Sequence, residues 1–310
     1  MASARRYPFI QVDVFTSRPL EGNSLAVFTD ARGLSDEEMQ ALAREMNLSE
    51  TTFILPRDAA TDAERGVRVR IFTTQEELDF AGHPTLGTAN VIRNGAGPVG
   101  SSVDSRPAEV ALDLNAGKIP VTFTTGKDGL LFGEMRQRDP EFGATHERES
   151  VARAAGLKLD DLDPDLPIQT VSTGLPFAMV PLRRRATLRD LSFNFAQAAP
   201  YLEHSDTKFL YFVTRDVSGY QGAAGGALLH ARMIFYNGED PATGSAAGCC
   251  AAWMVRHGVA QPEEQAMIAQ GLEMRRPSLI YVRASRRGDT VSNVRVGGNT
   301  VEVLRGEVKL

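Results

Sequence analysis

A helix that is small or apolar on every face has to be enclosed by protein, and this chain contains one. Glu239-Asp240-Pro241-Ala242-Thr243-Gly244-Ser245-Ala246-Ala247-Gly248-Cys249-Cys250-Ala251-Ala252-Trp253-Met254 reads as a turn feeding a buried helix. Asp240 is the expected N-cap, with Pro241 at the first helical position, where a missing N–H costs nothing. Residues 242–255 offer no polar stripe to solvent. Arg256, His257 and Gly258 supply the expected end.

A second stretch has the same character. Phe80-Ala81-Gly82-His83-Pro84-Thr85-Leu86-Gly87-Thr88-Ala89 also runs from a polar residue and a proline into small and apolar positions. Aligning His83-Pro84 with Asp240-Pro241 sets Gly87-Thr88-Ala89 on Gly244-Ser245-Ala246, a spacing of 157 residues. Glu50-Thr51-Thr52-Phe53-Ile54 falls on Asp206-Thr207-Lys208-Phe209-Leu210, Ile71-Phe72 on Ile234-Phe235, and residues 22–28 on 174–180. Four correspondences in the same order argue for two copies of one unit.

Composition narrows the class. The 310 residues suffice for two domains with real cores, and 42% apolar with 24% charged residues is ordinary for a globular protein. A net charge of −5 gives no reason to expect nucleic-acid binding, and Arg183-Arg184-Arg185 and Arg286-Arg287 read as solvated loops. No apolar run approaches the roughly 18 residues of a membrane span. The start, Met1-Ala2-Ser3-Ala4-Arg5-Arg6, has no signal-peptide core, and two adjacent cysteines inside a helix make no disulfide framework. The expected compartment is the cytoplasm. Five dispersed histidines make no zinc pattern, and Gly126-Lys127 lacks the rest of a P-loop. Neither a metal nor an organic cofactor is expected.

Along the chain, residues 9–15 alternate as a strand, and 24–28 form a second. Ser35-Asp36-Glu37-Glu38 is a capping box opening a helix whose Met39, Leu42, Ala43 and Met46 share a face. Strands follow at 51–55 and 67–73, separated by a polar loop at 57–65. After the first apolar helix, strands are expected at 110–114, 119–124 and 130–135, with a hairpin turn at Gly126-Lys127-Asp128-Gly129. Residues 140–145 read as an irregular linker, giving halves 1–140 and 141–310. A helix at 150–155 opens the second half. Then come short strands at 169–171 and 177–180, an imperfect helix at 188–201 interrupted by Pro200, and strands at 209–213 and 228–235. A glycine-rich loop at 219–226 splits those last two. Four strands, 274–282, 291–296, 300–304 and 307–310, finish the chain.

Many strands and one wholly apolar helix per half are packed most economically as a curved sheet wrapped around its own helix. A helix N-terminus presents unpaired N–H groups and partial positive charge. If the repeats bring both helix starts to one cleft, Gly82-His83 and Gly244-Ser245 make a site for a carboxylate or phosphate.

Gly22-Asn23, Met46-Asn47-Leu48-Ser49-Glu50-Thr51-Thr52-Phe53, Phe80-Ala81-Gly82-His83-Pro84, the stretch from Glu239 to Gly248, and Gln270-Gly271 through Arg276-Pro277-Ser278 resemble the motifs of the PhzF-like family of phenazine-biosynthesis isomerases, in that family's order. Ser24 stands where a proline commonly follows Gly-Asn. The resemblance implies an α+β, diaminopimelate-epimerase-like fold: two pseudo-symmetric halves, each a barrel-like, mostly antiparallel sheet around a central apolar helix. It implies Glu50 as the catalytic carboxylate, His83 and Asp240 as its polar companions, and Asn23, Gly82, Gly244 and Ser245 as substrate-binding positions. It further implies a cofactor-free isomerase on a small carboxylate, trans-2,3-dihydro-3-hydroxyanthranilate in the named member, and a homodimer.

The residue types suit that chemistry. Moving a C–H proton along a conjugated system needs one group that takes it from one carbon and returns it to another, which a partly buried carboxylate does. Racemisation with Glu50 opposed by Asp240, or a ligand-binding or scaffold protein without turnover, are the alternatives. A two-thiol epimerase is excluded, because neither 80–87 nor 239–245 contains cysteine.

Overall fold

The computed structural model describes residues 5–95, 107–126, 129–218, 228–236 and 238–310. The chain divides into two compact units. The first is Met1–Arg136 together with Gly297–Leu310, and the second is Gln137–Val296. The boundary lies four residues before the expected one, and the final strand returns to the first unit.

The first unit contains β1 (Arg6–Val14), β2 (Asn23–Phe28), α1 (Asp36–Met46), β3 (Glu50–Ile54), α2 (Ala59–Arg65), β4 (Val67–Phe72), β5 (Glu77–Leu78), α3 (Gly82–Arg93), β6 (Glu109–Leu114), β7 (Gly117–Thr125) and β8 (Leu131–Arg136). β1 pairs antiparallel with β2, β2 parallel with β3, and β3 antiparallel with β4. β4 then pairs parallel with β6, and β6, β7 and β8 continue antiparallel. The last strand of the chain pairs with both β1 and β8, so this sheet closes on itself. Inside it runs α3, buried from Gly82 to Ile92 and packed against β1, β2, β3, β6, β7 and β8. Burial of Leu86, Val91 and Ile92 contributes roughly 1.5–3 kcal/mol each. The capping box of α1 forms as expected: Glu38 N–H donates to Ser35 Oγ, and Ser35 N–H to Glu38 Oε2. The loop expected at 57–65 instead holds α2, started by Asp58, whose Oδ1 accepts from Thr61 N–H.

The second unit contains β9 (Glu141–Thr145), α4 (Arg148–Ala155), β10 (Gln169–Ser172), β11 (Pro176–Leu182), α5 (Arg185–Arg189), α6 (Phe195–Glu203), β12 (Phe209–Thr214), β13 (Leu229–Phe235), β14 (Gly238–Asp240), α7 (Gly244–Arg256), β15 (Ala266–Gln270) and β16 (Ser278–Arg287). β17 (Thr290–Lys309) then leads back to the first unit. The expected linker is therefore a strand, β9, paired with β10. The single imperfect helix is two, with Pro200 inside α6. The last three expected strands are the one continuous β17. β15 was not expected at all. Residues 219–226, and Lys127 and Asp128 of the expected hairpin turn, lie outside the described residues.

The two units repeat one topology. The pairings β10–β11, β11–β12, β12–β13, β13–β14, β13–β15 and β15–β16 match β1–β2, β2–β3, β3–β4, β4–β5, β4–β6 and β6–β7 in order and direction. A paired side-chain bond marks the register. Arg70 donates bidentately to Glu77 across β4 and β5, and Arg232 donates likewise to Glu239 across β13 and β14. Both pairs are 162 residues apart, as are the helix starts Gly82 and Gly244. The spacing of 157 expected for the helices is thus wrong. α7 starts at Gly244 with Thr243 as N-cap, so Asp240 is no N-cap but the last residue of β14. His83 is the second residue of α3, inside the helix. The strand expectation also slips. Leu25 pairs with Glu50 and Phe177 with Phe209, which makes Phe209, not Asp206, the counterpart of Glu50. Met233 pairs with Asp240 where Ile71 pairs with Leu78, so Ile71 matches Met233.

α7 is enclosed as α3 is, with Trp253 fully buried, and it ends at His257 with Gly258 left-handed. Gln137 reaches into it. Its Nε2 donates to Gly244 C=O at 2.9 Å, and its Oε1 accepts from Thr173 Oγ1 at 2.7 Å. A Cβ on Gly248 would stand 1.9 Å from Gln137 Oε1. Helix propensity alone favours Gly248→Ala by about 1 kcal/mol. Displacing Gln137 leaves buried polar groups unsatisfied, at about 1–3 kcal/mol each. Gly248→Ala is therefore expected to be less stable than the parent in urea unfolding; a more stable variant contradicts this packing.

Candidate active site

The first unit gathers Asn23, His83 and Glu50. Glu50 opens β3, Asn23 opens β2 beside it, and His83 lies in the first turn of α3. The β2–β3 register sets Leu25 across from Glu50, which puts Asn23 and Glu50 at the same end of the sheet. Asn23 Nδ2 stands 3.2 Å from His83 Nδ1. The other ring nitrogen, Nε2, stands 3.5 Å from Glu50 Oε2. Both facing atoms are buried, while 17% of the Glu50 side chain remains accessible.

Burial pushes the His83 imidazole down to about 3, against the opposing effect of a backbone hydrogen bond with Ser24. The ring is neutral at physiological pH, so the contact with Glu50 is not an ion pair.

The loop before Asn23 is held by Asp13, which sequence reasoning passed over as one polar residue in a strand. It is 1% exposed. Its Oδ2 accepts from Leu20 N–H at 2.7 Å and its Oδ1 from Ser24 Oγ at 2.8 Å, one on each side of Asn23. Gly22 has φ +67°, and a Cβ there would lie 2.3 Å from Val14 O. Only glycine fits that turn.

The second unit places Asp240, Gly244 and Ser245 around the start of α7. Asp240 is buried and accepts from Thr243 Oγ1 at 2.6 Å. Gly244 is buried; Ser245, the next residue, is half-buried. Neither Ala81 nor Thr243 caps its helix with a side chain, so the first-turn N–H groups of α3 and α7 have no partner from their N-caps. By the register of the repeats, Asn23, Glu50 and His83 correspond to Leu175, Phe209 and Ser245. The acid–imidazole–amide set exists in one copy only. Asp240 likewise corresponds to Leu78.

Among the described residues, no cluster of three or more His, Cys, Asp or Glu is arranged to hold a metal ion. Cys249 and Cys250 are buried in the second turn of α7, and burial pushes Cys249 up to about 11 and Cys250 higher still. They belong to the core, as expected.

The model of the phenazine biosynthesis-like (PhzC–PhzF) family matches residues 12–306. The chain belongs to this family. It is 35% identical to trans-2,3-dihydro-3-hydroxyanthranilate isomerase of Pseudomonas chlororaphis, over 97% of this chain and 99% of that one. A crystal structure of a PhzF-family phenazine biosynthesis protein from Bacillus anthracis superposes with a TM-score of 0.83 at 25% identity, covering 99% of this chain and 100% of that one. A hydroxyproline epimerase of Agrobacterium vitis, 12% identical, shares the fold with a TM-score of 0.63 over 99% of this chain and 93% of its own. The α+β, epimerase-like architecture implied by the motifs is the one this PhzF-family chain adopts.

The neutral state of His83 has a measurable consequence. Between about 3 and the ordinary value of 6.5, unfolded His83 binds a proton and folded His83 does not. Its contribution is therefore present above pH 6.5 and is lost as pH falls through that window. Thermal melts are expected to show a shallower loss of stability from pH 7 to 4 in His83→Gln than in the parent. Equal slopes would mean that the ring is not held neutral.

Proposed function

We propose that this PhzF-family protein is an isomerase that moves a C–H proton within a small carboxylate, with Glu50 carrying the proton. The observation that supports it most is the cluster of half-buried Glu50, neutral His83 and Asn23 at the start of α3, whose N-cap offers no side-chain acceptor. The Glu50 carboxylate removes a proton from one carbon, and the electron pair spreads through the conjugated system. The resulting carboxylic acid returns the proton to another carbon, so nothing is oxidised or reduced. A neutral imidazole puts no positive charge beside the Glu50 carboxylate, where an imidazolium would diminish its basicity. The ring lies against Asn23 with Nδ1 and faces Glu50 with Nε2. The first-turn amides of α3, from Gly82 and His83, are proposed donors to the substrate carboxylate, which fixes the carbons facing the base; those of α7, from Gly244 and Ser245, are the proposed anion donors of the second unit. Asp240 is the proposed acid–base residue of the second unit.

The relatives' names point to trans-2,3-dihydro-3-hydroxyanthranilate as the first substrate to try. A racemase with two matched bases would be expected to repeat its acid in both copies. Here Phe209 occupies the counterpart of Glu50, so the repeat supplies no matched second acid at that position. The free thiols support a reducing compartment such as the cytoplasm, and no helix among the described residues is long and apolar enough to cross a membrane.

With trans-2,3-dihydro-3-hydroxyanthranilate in deuterated water, the parent protein should turn over and place deuterium on carbon. Glu50→Gln, folded by circular dichroism, should lose a hundredfold or more in kcat, the usual scale of general acid–base catalysis. Undiminished turnover by Glu50→Gln would remove Glu50 from the mechanism. A parent that neither turns over nor exchanges would remove this substrate.

A further inference from the structure

Behind Asp240 lies a hydrogen-bond chain whose direction the backbone dictates. Gln270, the last residue of β15, is fully buried. Its side-chain oxygen faces the backbone N–H of Thr243 at 3.3 Å, and its nitrogen faces the carbonyl of Asp240 at 2.8 Å. An N–H only donates and a carbonyl only accepts, so the amide has one permitted orientation. Tyr211 fills the second lone pair of the Gln270 oxygen at 2.9 Å. Burial holds the Tyr211 hydroxyl well above its ordinary value, so it stays protonated and donates. The remaining Gln270 N–H points at Thr243 Oγ1, 3.0 Å away. With that oxygen accepting, the Thr243 hydroxyl hydrogen is left for Asp240 Oδ2 at 2.6 Å. All four valences of the Gln270 amide are used, and the sequence Gln270 to Thr243 to Asp240 runs one way.

We infer that Thr243 is a positioning residue for the isomerase reaction: its hydroxyl, oriented by Gln270, holds the Asp240 carboxylate in one rotamer beside the first turn of α7. This rests on the reading that Asp240 belongs to the catalytic set. The same bond from Thr243 N–H to Gln270 leaves Gly244, Ser245 and Ala246 as the first-turn amides, since Ala247 N–H already donates to Thr243 C=O. The first unit has no equivalent, because Leu78 stands where Asp240 does and Ala81 where Thr243 does.

Two substitutions separate the hydroxyl from the volume it occupies. Thr243→Val keeps the shape and loses the donor, whereas Thr243→Ser keeps the donor and loses a methyl. With trans-2,3-dihydro-3-hydroxyanthranilate, Thr243→Val is expected to lose ten- to hundredfold in kcat with KM within threefold, the scale of a hydrogen bond to a charged group. Thr243→Ser is expected to retain kcat within threefold. A residue that only packs would give the reverse pattern, and that result, or a Val variant as active as the parent, overturns the inference. Glu50→Gln measured alongside keeps the two claims apart: an inactive Glu50→Gln beside a fully active Thr243→Val sinks the positioning role alone. A readout free of turnover completes the test. In protein labelled with carboxyl-13C aspartate, the Asp240 resonance at fixed pH should move in Thr243→Val and hold in Thr243→Ser. A resonance unmoved in the Val variant overturns the inference whatever the kinetics.

Discussion

A helix without a polar face dictates this architecture. α3 and α7 cannot be stable against water, so each needs apolar cover all round. A sheet curved about the helix supplies that cover at the least chain length. In the first unit the sheet closes completely, with the last strand of the chain joining β1 and β8. Enclosure satisfies the sides of a helix but not its start, where the first N–H groups have no carbonyl within reach. Nor does the N-cap side chain answer in either unit. The fold's own packing problem thus leaves two small sets of oriented donors, and the candidate chemistry sits beside them.

Duplication explains the frame and not the chemistry. The paired bonds Arg70–Glu77 and Arg232–Glu239 show how faithfully the register repeats. The residues around the helix starts do not repeat. Asn23, His83 and Glu50 form a titratable cluster in the first unit, and their counterparts Leu175, Ser245 and Phe209 include no ionisable group. In the second unit the polar machinery is Asp240 with Thr243, Gln270 and Tyr211, where the first has Leu78 and Ala81 at the two positions nearest the helix. One frame thus carries two different sets of polar residues, one in each unit.

Much of this was legible in the residues. The apolar helices announce themselves by lacking a polar stripe, the Ser35 capping box marks α1, and the candidate residues lie in motifs that read as one family. Other features were hidden for physical reasons. Pro241 imitates a helix start, but three more residues are spent joining β14 to α7, and the true N-cap is Thr243. Pro84, its apparent twin, sits within the first turn of α3, which shifted the alignment by five residues. A one-residue slip between Ile71 and Met233 passed unseen because both neighbours are apolar. β9 and α2 are polar and largely exposed, so hydrophobic periodicity had nothing to register. Asp13 and Tyr211 looked like ordinary strand residues, since only tertiary structure brings their partners to them; Gln270 stood in a family motif without a reason attached.

Proton transfer by Glu50 requires its carboxylate to reach the reacting carbons of a bound carboxylate. A crystal structure with a non-reactive ortho-aminobenzoate bound tests it most directly. A Glu50 carboxylate oxygen is expected within about 3.5 Å of a ring carbon, the separation of a productive encounter. A ligand seated elsewhere, with Glu50 facing only protein and water, would contradict it.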